Sequence, residues 1–106
     1  MINDIYYKRI LSSVSDVVIS CAETLFGKEI KDYDIFKEKK PSLNISVARG
    51  ISLVILHDMY GMSYSKISLL TGMKDKSVMK RVSLTRSFIG TDKTYTELYS
   101  LVKNTL

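Results

Sequence analysis

Cysteine, histidine and proline are nearly missing from this sequence, and each shortage removes a class of protein. A single cysteine, Cys21, excludes an internal disulfide, and with one histidine, His57, it falls short of the four ligands of a structural zinc site. No apolar run approaches the roughly 18 residues needed to cross a bilayer. The first eleven positions carry Asp4, Tyr6, Tyr7, Lys8 and Arg9 where a secretory signal would be apolar. The expectation is a cytoplasmic protein with no membrane contact. No Gly-x-x-x-x-Gly-Lys-Ser/Thr loop, paired carboxylates, Ser/His/Asp set or Cys/His pair stands out, so neither an enzyme nor a small-molecule or cofactor binder is expected. With one proline, five glycines, no repeat and no Gly/Ser-rich tract, little interrupts helical chain.

What is present is an ordinary globular composition, 45% hydrophobic and 25% charged, over 106 residues, enough for one core and one compact domain. The net charge of +5 is concentrated. Residues 1–33 hold four Lys/Arg against five Asp/Glu, residues 91–106 two of each, and residues 34–90 ten against four. The densest part is Lys74, Lys76, Lys80, Arg81 and Arg86, with Asp75 the one acid among them. Such a field attracts polyanions.

The apolar spacing predicts helix after helix. Residues 1–14 read as a short amphipathic connector, helical over 2–12, and residues 15–106 as the domain proper. Ser13 and Asp16 fit a capping arrangement for a second helix over 15–26, with Val17, Val18, Cys21, Ala22 and Leu25 inward and Gly27 as its stop. Residues 28–44 read as a basic loop with Ile35, Phe36 and Leu43 as anchors. The next helix, 44–60, is apolar nearly all round and therefore central. Its one exposed strip is expected through Ser46, Arg49, Gly50, Leu53 and His57.

Ser63 can cap a short helix bearing Tyr64, Ile67 and Leu70 on one face, and Gly72 breaks it. A further helix opens at Lys74 or Asp75, where Asp75 serves as a cap. It turns Val78, Val82, Thr85 and Ile89 inward and Lys76, Lys80, Ser83 and Ser87 outward. Two helices of this length across a short glycine turn read as a helix-turn-helix, whose second helix enters the DNA major groove. Thr94 and Glu97, at capping-box spacing, start a closing helix over 94–105 with Tyr95, Leu98, Leu101, Val102 and Leu106 inward.

Three stretches carry a resemblance across about residues 15–106. The run Val47-Ala48-Arg49-Gly50-Ile51-Ser52-Leu53-Val54-Ile55-Leu56 resembles the Ala-Arg-Gln-Ile-Ala-Met-Tyr-Leu helix of the C-terminal DNA-binding domain, domain IV, of the bacterial replication initiator DnaA. Ser63 to Gly72 resembles the short helix that follows there. Gly72-Met73-Lys74-Asp75-Lys76-Ser77-Val78-Met79 is similar to the signature at the start of that family's recognition helix. The resemblance implies an all-α, Trp-repressor-like fold. It makes Arg49 a minor-groove or backbone contact, and Lys74, Asp75, Lys76 and Ser77 major-groove contacts. The chain departs from the family at three positions: Lys76 replaces histidine, Lys74 replaces arginine, and Val78 replaces a base-contacting threonine. A lysine lacks the planar fork with which arginine reads guanine, so the family's usual target box is not implied. The ATPase module of a complete initiator has no counterpart.

The expected function is therefore sequence-specific binding of double-stranded DNA by a monomer, with Lys39, Lys40, Arg49, Lys74, Asp75, Lys76, Ser77, Lys80 and Arg81 at the interface. A native Met1 favours a free-standing protein. Plainer readings stand beside this one. The strip through Lys76, Lys80 and Arg81 fits a merely solvated face. Arg49 taken alone pairs with a carboxylate such as Asp58 or Asp75. Cys21 and the tyrosines read as core. An adaptor that re-uses the same fold for protein contact, with 2–12 as the first place to look, is the alternative from another class.

Overall fold

The computed structural model describes residues 2–27, 34–37, 39 and 41–106, with side chains from Ile5 onward. Its order is α1 (Ile2–Phe26), α2 (Leu43–Asp58), α3 (Tyr64–Thr71), α4 (Asp75–Phe88) and α5 (Lys93–Thr105), with no strand among the described residues. The all-helical class expected from the spacing is what forms.

α1 is one continuous helix of 25 residues, which corrects the expected break between a connector and a second helix. Tyr7, Leu11, Val14, Val18 and Cys21 run down one side at three- and four-residue spacing, and Val14 and Val18 are fully buried. Ending the helix at Ser13 would interrupt that stripe. A serine inside a helix costs only a few tenths of a kcal/mol, about 0.5 relative to alanine, and the stripe outweighs it. At about 1.5 Å per residue α1 is some 37 Å long. The molecule's longest dimension is 38 Å, so a helix of this length spans most of any direction it takes through the fold.

α2 is the hub and packs against each of the other four helices. Ser42 caps it, its hydroxyl accepting from Ile45 N at 3.4 Å. Ile45, Val47, Ala48, Ile51, Val54, Ile55 and Leu56 are buried, as an apolar circumference requires. The expected exposed strip is only partly open: Ser46, Arg49 and His57 are half-buried, but Gly50 and Leu53 are covered. Gly50 is covered because α4 crosses it. A Cβ there would collide with Thr85 Oγ1 and approach Arg81 Nε at 3.3 Å, so glycine is what lets the two helices meet this closely.

Leu43, expected as a loop anchor, is exposed at the start of α2, while Ile35 is buried and Phe36 half-buried as expected. Met62, which the helical spacing did not place, is buried between α2 and α3. His57 Nδ1 lies 2.7 Å from its carbonyl oxygen, and the imidazole stacks on Tyr64 with centroids 4.2 Å apart. The lone histidine thus ties α2 to the start of α3.

α5 closes the core with Tyr95, Leu98 and Val102. Its cap is Asp92, whose carboxylate accepts from Tyr95 N at 3.1 Å, rather than Thr94. The helix consequently starts at Lys93, one residue before the expected position. Leu106, expected inward, lies past the last helical residue and is exposed.

Candidate nucleic-acid interface

The α3–α4 connection is built from side chains of α3 itself. Ser63 caps α3 by accepting from Lys66 N at 3.1 Å, as the sequence predicts. Gly72 ends it in the left-handed region at φ 80°, a conformation that costs a residue with a Cβ about 1–2 kcal/mol. Across the turn, Thr71 Oγ1 accepts from Met73 N at 3.2 Å and Ser68 Oγ donates to the Met73 carbonyl. Ser65 Oγ donates to Asp75 Oδ2 at 3.0 Å. Three hydroxyls of α3 therefore fix the angle at which α4 leaves.

Asp75 is the point of correction here. Lys74 is the N-cap residue of α4 and makes no side-chain cap, while the Asp75 carboxylate turns back to α3 instead of capping its own helix. The Ser68 and Ser65 hydroxyls beside it hold its pKa below the ordinary aspartate value. Its negative charge is thereby drawn to the α3 side of α4.

The rest of α4 divides as the 100° periodicity requires. Val78, Val82 and Thr85 are buried and Ile89 half-buried, while Lys76, Lys80, Ser83 and Ser87 are all exposed. Neither Lys76 nor Lys80 has an ion-pair partner among the described residues. The exposed face of α4 holds two cations, hydroxyls and no carboxylate. Met79, 49% exposed, and Leu84, 41% exposed, border it.

The other candidates fall in different places. Lys39 is exposed, and Lys40 lies outside the described residues. Lys74 and Ser77 are exposed at the start of α4. Arg49 is half-buried and its Nε donates to the Ile35 carbonyl. Asp58 and Asp75, the carboxylates a plain reading would offer it, are engaged elsewhere: Asp58 forms a two-point pair with Arg86, and Asp75 accepts from Ser65. Arg81 does not join the solvated strip with Lys76 and Lys80. It is half-buried, and its Nη2 reaches Ser46 O at 2.6 Å, Ser46 Oγ at 2.8 Å and Tyr95 Oη at 2.7 Å. This guanidinium binds α4 to α2 and α5.

Four of the candidates nonetheless meet. Arg49, Ser77, Lys80 and Arg81, with Met73 and Leu84, line one groove of about 250 Å³ between α2 and α4. Met73 and Leu84 were not singled out in the sequence, because Met73 lies in the α3–α4 turn and Leu84 is an exposed apolar residue on a charged helix, and neither position carries a periodic signal. Lys37 is also near: a Cβ at Gly72 would lie 4.0 Å from its Cε, so the 34–37 turn flanks the α3–α4 turn. Among the described residues no group of three or more His, Cys, Asp or Glu is placed to hold a metal ion, and no helix is long and apolar enough to cross a membrane. Comparison with known protein families, with curated proteins and with solved structures gives no match.

Proposed function

We propose that this chain binds double-stranded DNA, with α3 and α4 acting as a helix-turn-helix and α4 as the helix that enters the major groove. The observation that carries the reading is the exposed face of α4. Lys76 and Lys80 stand there without ion pairs among the described residues, and the nearby acids, Asp75 and Asp58, are drawn to α3 and to Arg86. Such cations on a helix whose exit angle is fixed by side-chain hydrogen bonds suit a phosphate-lined groove, where lysines reach phosphates and base edges and serines serve either. The resemblance of Gly72 to Met79 to the recognition-helix signature of DnaA domain IV supports the same reading, with the chain a diverged relative of that domain. No catalytic step is assigned to it. A single module with no heptad seam is expected to act as a monomer on one short asymmetric site.

Fluorescence anisotropy with duplexes selected from a randomised pool, across a salt series, tests this. Wild type should prefer some sequences, and Lys76→Ala/Lys80→Ala should weaken binding and flatten the salt slope by about 0.9 for each phosphate that is no longer neutralised. Absence of binding at low salt, or binding indifferent to both lysines, removes the reading.

A second reading, a protein-binding adaptor, is favoured by one observation of its own. Ile5, Tyr6, Met59 and Tyr60 are each at least 40% exposed, and Tyr6 and Tyr60 border a groove with Arg9, Ile10 and Ser13. If α4 fails the anisotropy test, this patch becomes the surface to mutate.

A further inference from the structure

The groove between α2 and α4 has a composition that neither the core nor a plain solvated face explains. A core crevice would be apolar throughout, and a solvated face would show both signs of charge. Here Arg49, Lys80 and Arg81 bring three positive charges, Ser77 brings a hydroxyl, Met73 and Leu84 bring an apolar wall, and no carboxylate lines it among the described residues. Arg81 supplies charge even though its Nη2 is committed to Ser46 and Tyr95, because the guanidinium charge is delocalised over the fork.

The two flanks of α4 differ in the same sense. At about 100° per residue, Ser77, Arg81 and Leu84 fall on the flank that faces this groove, and Asp75, Met79 and Arg86 fall on the other. That second flank carries the Asp75 carboxylate against Ser65 and the Asp58–Arg86 pair, so its positive charge is cancelled. A helix lying in a DNA groove has a phosphate strand on each side. Only one side of α4 is equipped to neutralise a strand.

We propose that the α2–α4 groove seats one phosphodiester of the duplex backbone, with its anionic oxygens toward Lys80 and Ser77 under the field of Arg49 and Arg81, and its deoxyribose against Leu84 and Met73. The inference rests on the duplex-binding reading above and adds to it a single anchored phosphate on one strand. A hydroxyl and an ammonium that converge on one anion make charge-assisted hydrogen bonds, and an apolar wall excludes the water that would compete for them. The seat positions α4 and carries no sequence information directly.

The test uses the full chain and a set of duplexes in which single phosphates, strand by strand, are replaced by neutral methylphosphonates. With wild type, one position or two adjacent positions on one strand should cost about tenfold in affinity or more, and the matching positions on the other strand should cost much less. Ser77→Ala and Lys80→Ala should each reduce that cost, since the neutralised phosphate no longer has its partner. All of the altered side chains are exposed, and thermal melts followed by circular dichroism check that the variants fold. Leu84→Glu, which sets a carboxylate on the groove wall, should weaken binding to unmodified DNA and make the same methylphosphonate nearly neutral. If wild type binds the duplex but the methylphosphonate costs are equal on both strands, or unchanged in Ser77→Ala and Lys80→Ala, the seat is wrong while the duplex reading survives. If wild type binds no duplex, both fall.

Discussion

Nη2 of Arg81 stands 2.7 Å from the hydroxyl of Tyr95, and its guanidinium carbon lies 5.9 Å from the centre of that ring. The same nitrogen takes the Ser46 carbonyl and hydroxyl, so one side chain on α4 joins α2 and α5. Removing it leaves the Ser46 and Tyr95 oxygens without that donor. Arg81→Ala should therefore destabilise the fold by about 2–4 kcal/mol and Tyr95→Phe by about 1 kcal/mol, whereas the exposed Lys80→Ala should stay within about 0.5 kcal/mol. Urea denaturation followed by circular dichroism measures all three. An Arg81→Ala protein as stable as Lys80→Ala would show that the inward clamp does not form.

Gly50 sits where α4 crosses α2, and the atom a Cβ would strike is Thr85 Oγ1, a buried hydroxyl with no hydrogen-bond partner among the described residues. Gly50→Ala should cost about 1–3 kcal/mol by overpacking, despite alanine's better helix propensity. Because the obstacle is a side chain, Gly50→Ala/Thr85→Ala should recover part of the loss, a coupling that a double-mutant cycle reads directly. A neutral or stabilising Gly50→Ala would mean that the helices cross farther apart.

The Asp75 carboxylate accepts from Ser65 Oγ, and the Ser68 and Ser65 hydroxyls beside it lower its folded pKa. A carboxyl whose pKa is lower folded than unfolded binds fewer protons in the folded state. Its stabilising contribution is therefore complete above the unfolded value, about 3.9, and is lost as pH falls through the folded value. The urea midpoint of wild type should fall below about pH 4 more steeply than that of Asp75→Asn, which has no proton to gain. Parallel pH profiles would show that the carboxylate does not hold the turn.

Cys21 is 6% exposed in the α1 stripe, with its Sγ 3.8 Å from Thr105 Oγ1 on α5. Reaction with a thiol-specific chromogenic reagent at neutral pH should be slow in the native protein and fast in denaturing urea, because the thiol must be uncovered first. Rapid labelling in native buffer would mean that α1 does not pack as described.

Several elements were legible in advance because their cause is local. Ser63 as a cap, Gly72 as a break and Gly27 as a stop each follow from what a few neighbouring residues can do with their own backbone. The inward set Val78, Val82 and Thr85 follows from periodicity alone. The continuous α1 was not legible, since Ser13 and Asp16 look like a helix start until Tyr7, Leu11, Val14 and Val18 are seen packed on the same core. Asp92 takes the place of Thr94 as the cap of α5: two neighbouring side chains could each accept from the first turn, and it is the Asp92 carboxylate that accepts from Tyr95 N.

At the candidate interface the division is sharper. The sequence by itself determined that the chain is helical, that its positive charge collects over residues 34–90, and that Lys76, Lys80, Ser83 and Ser87 share one face, because composition and a 3.6-residue period need no tertiary partner. It did not determine which cations remain on the surface. Arg81 stands next to Lys80 in the same basic stretch, yet it turns to Ser46 and Tyr95, residues 35 and 14 positions away, and Asp75 turns to Ser65, ten away. A charge's partner is chosen by which side chains the packing of α2, α3, α4 and α5 brings within hydrogen-bonding reach, a matter of a few ångströms. Spacing along the chain fixes the face of a helix, and only the fold decides what that face meets.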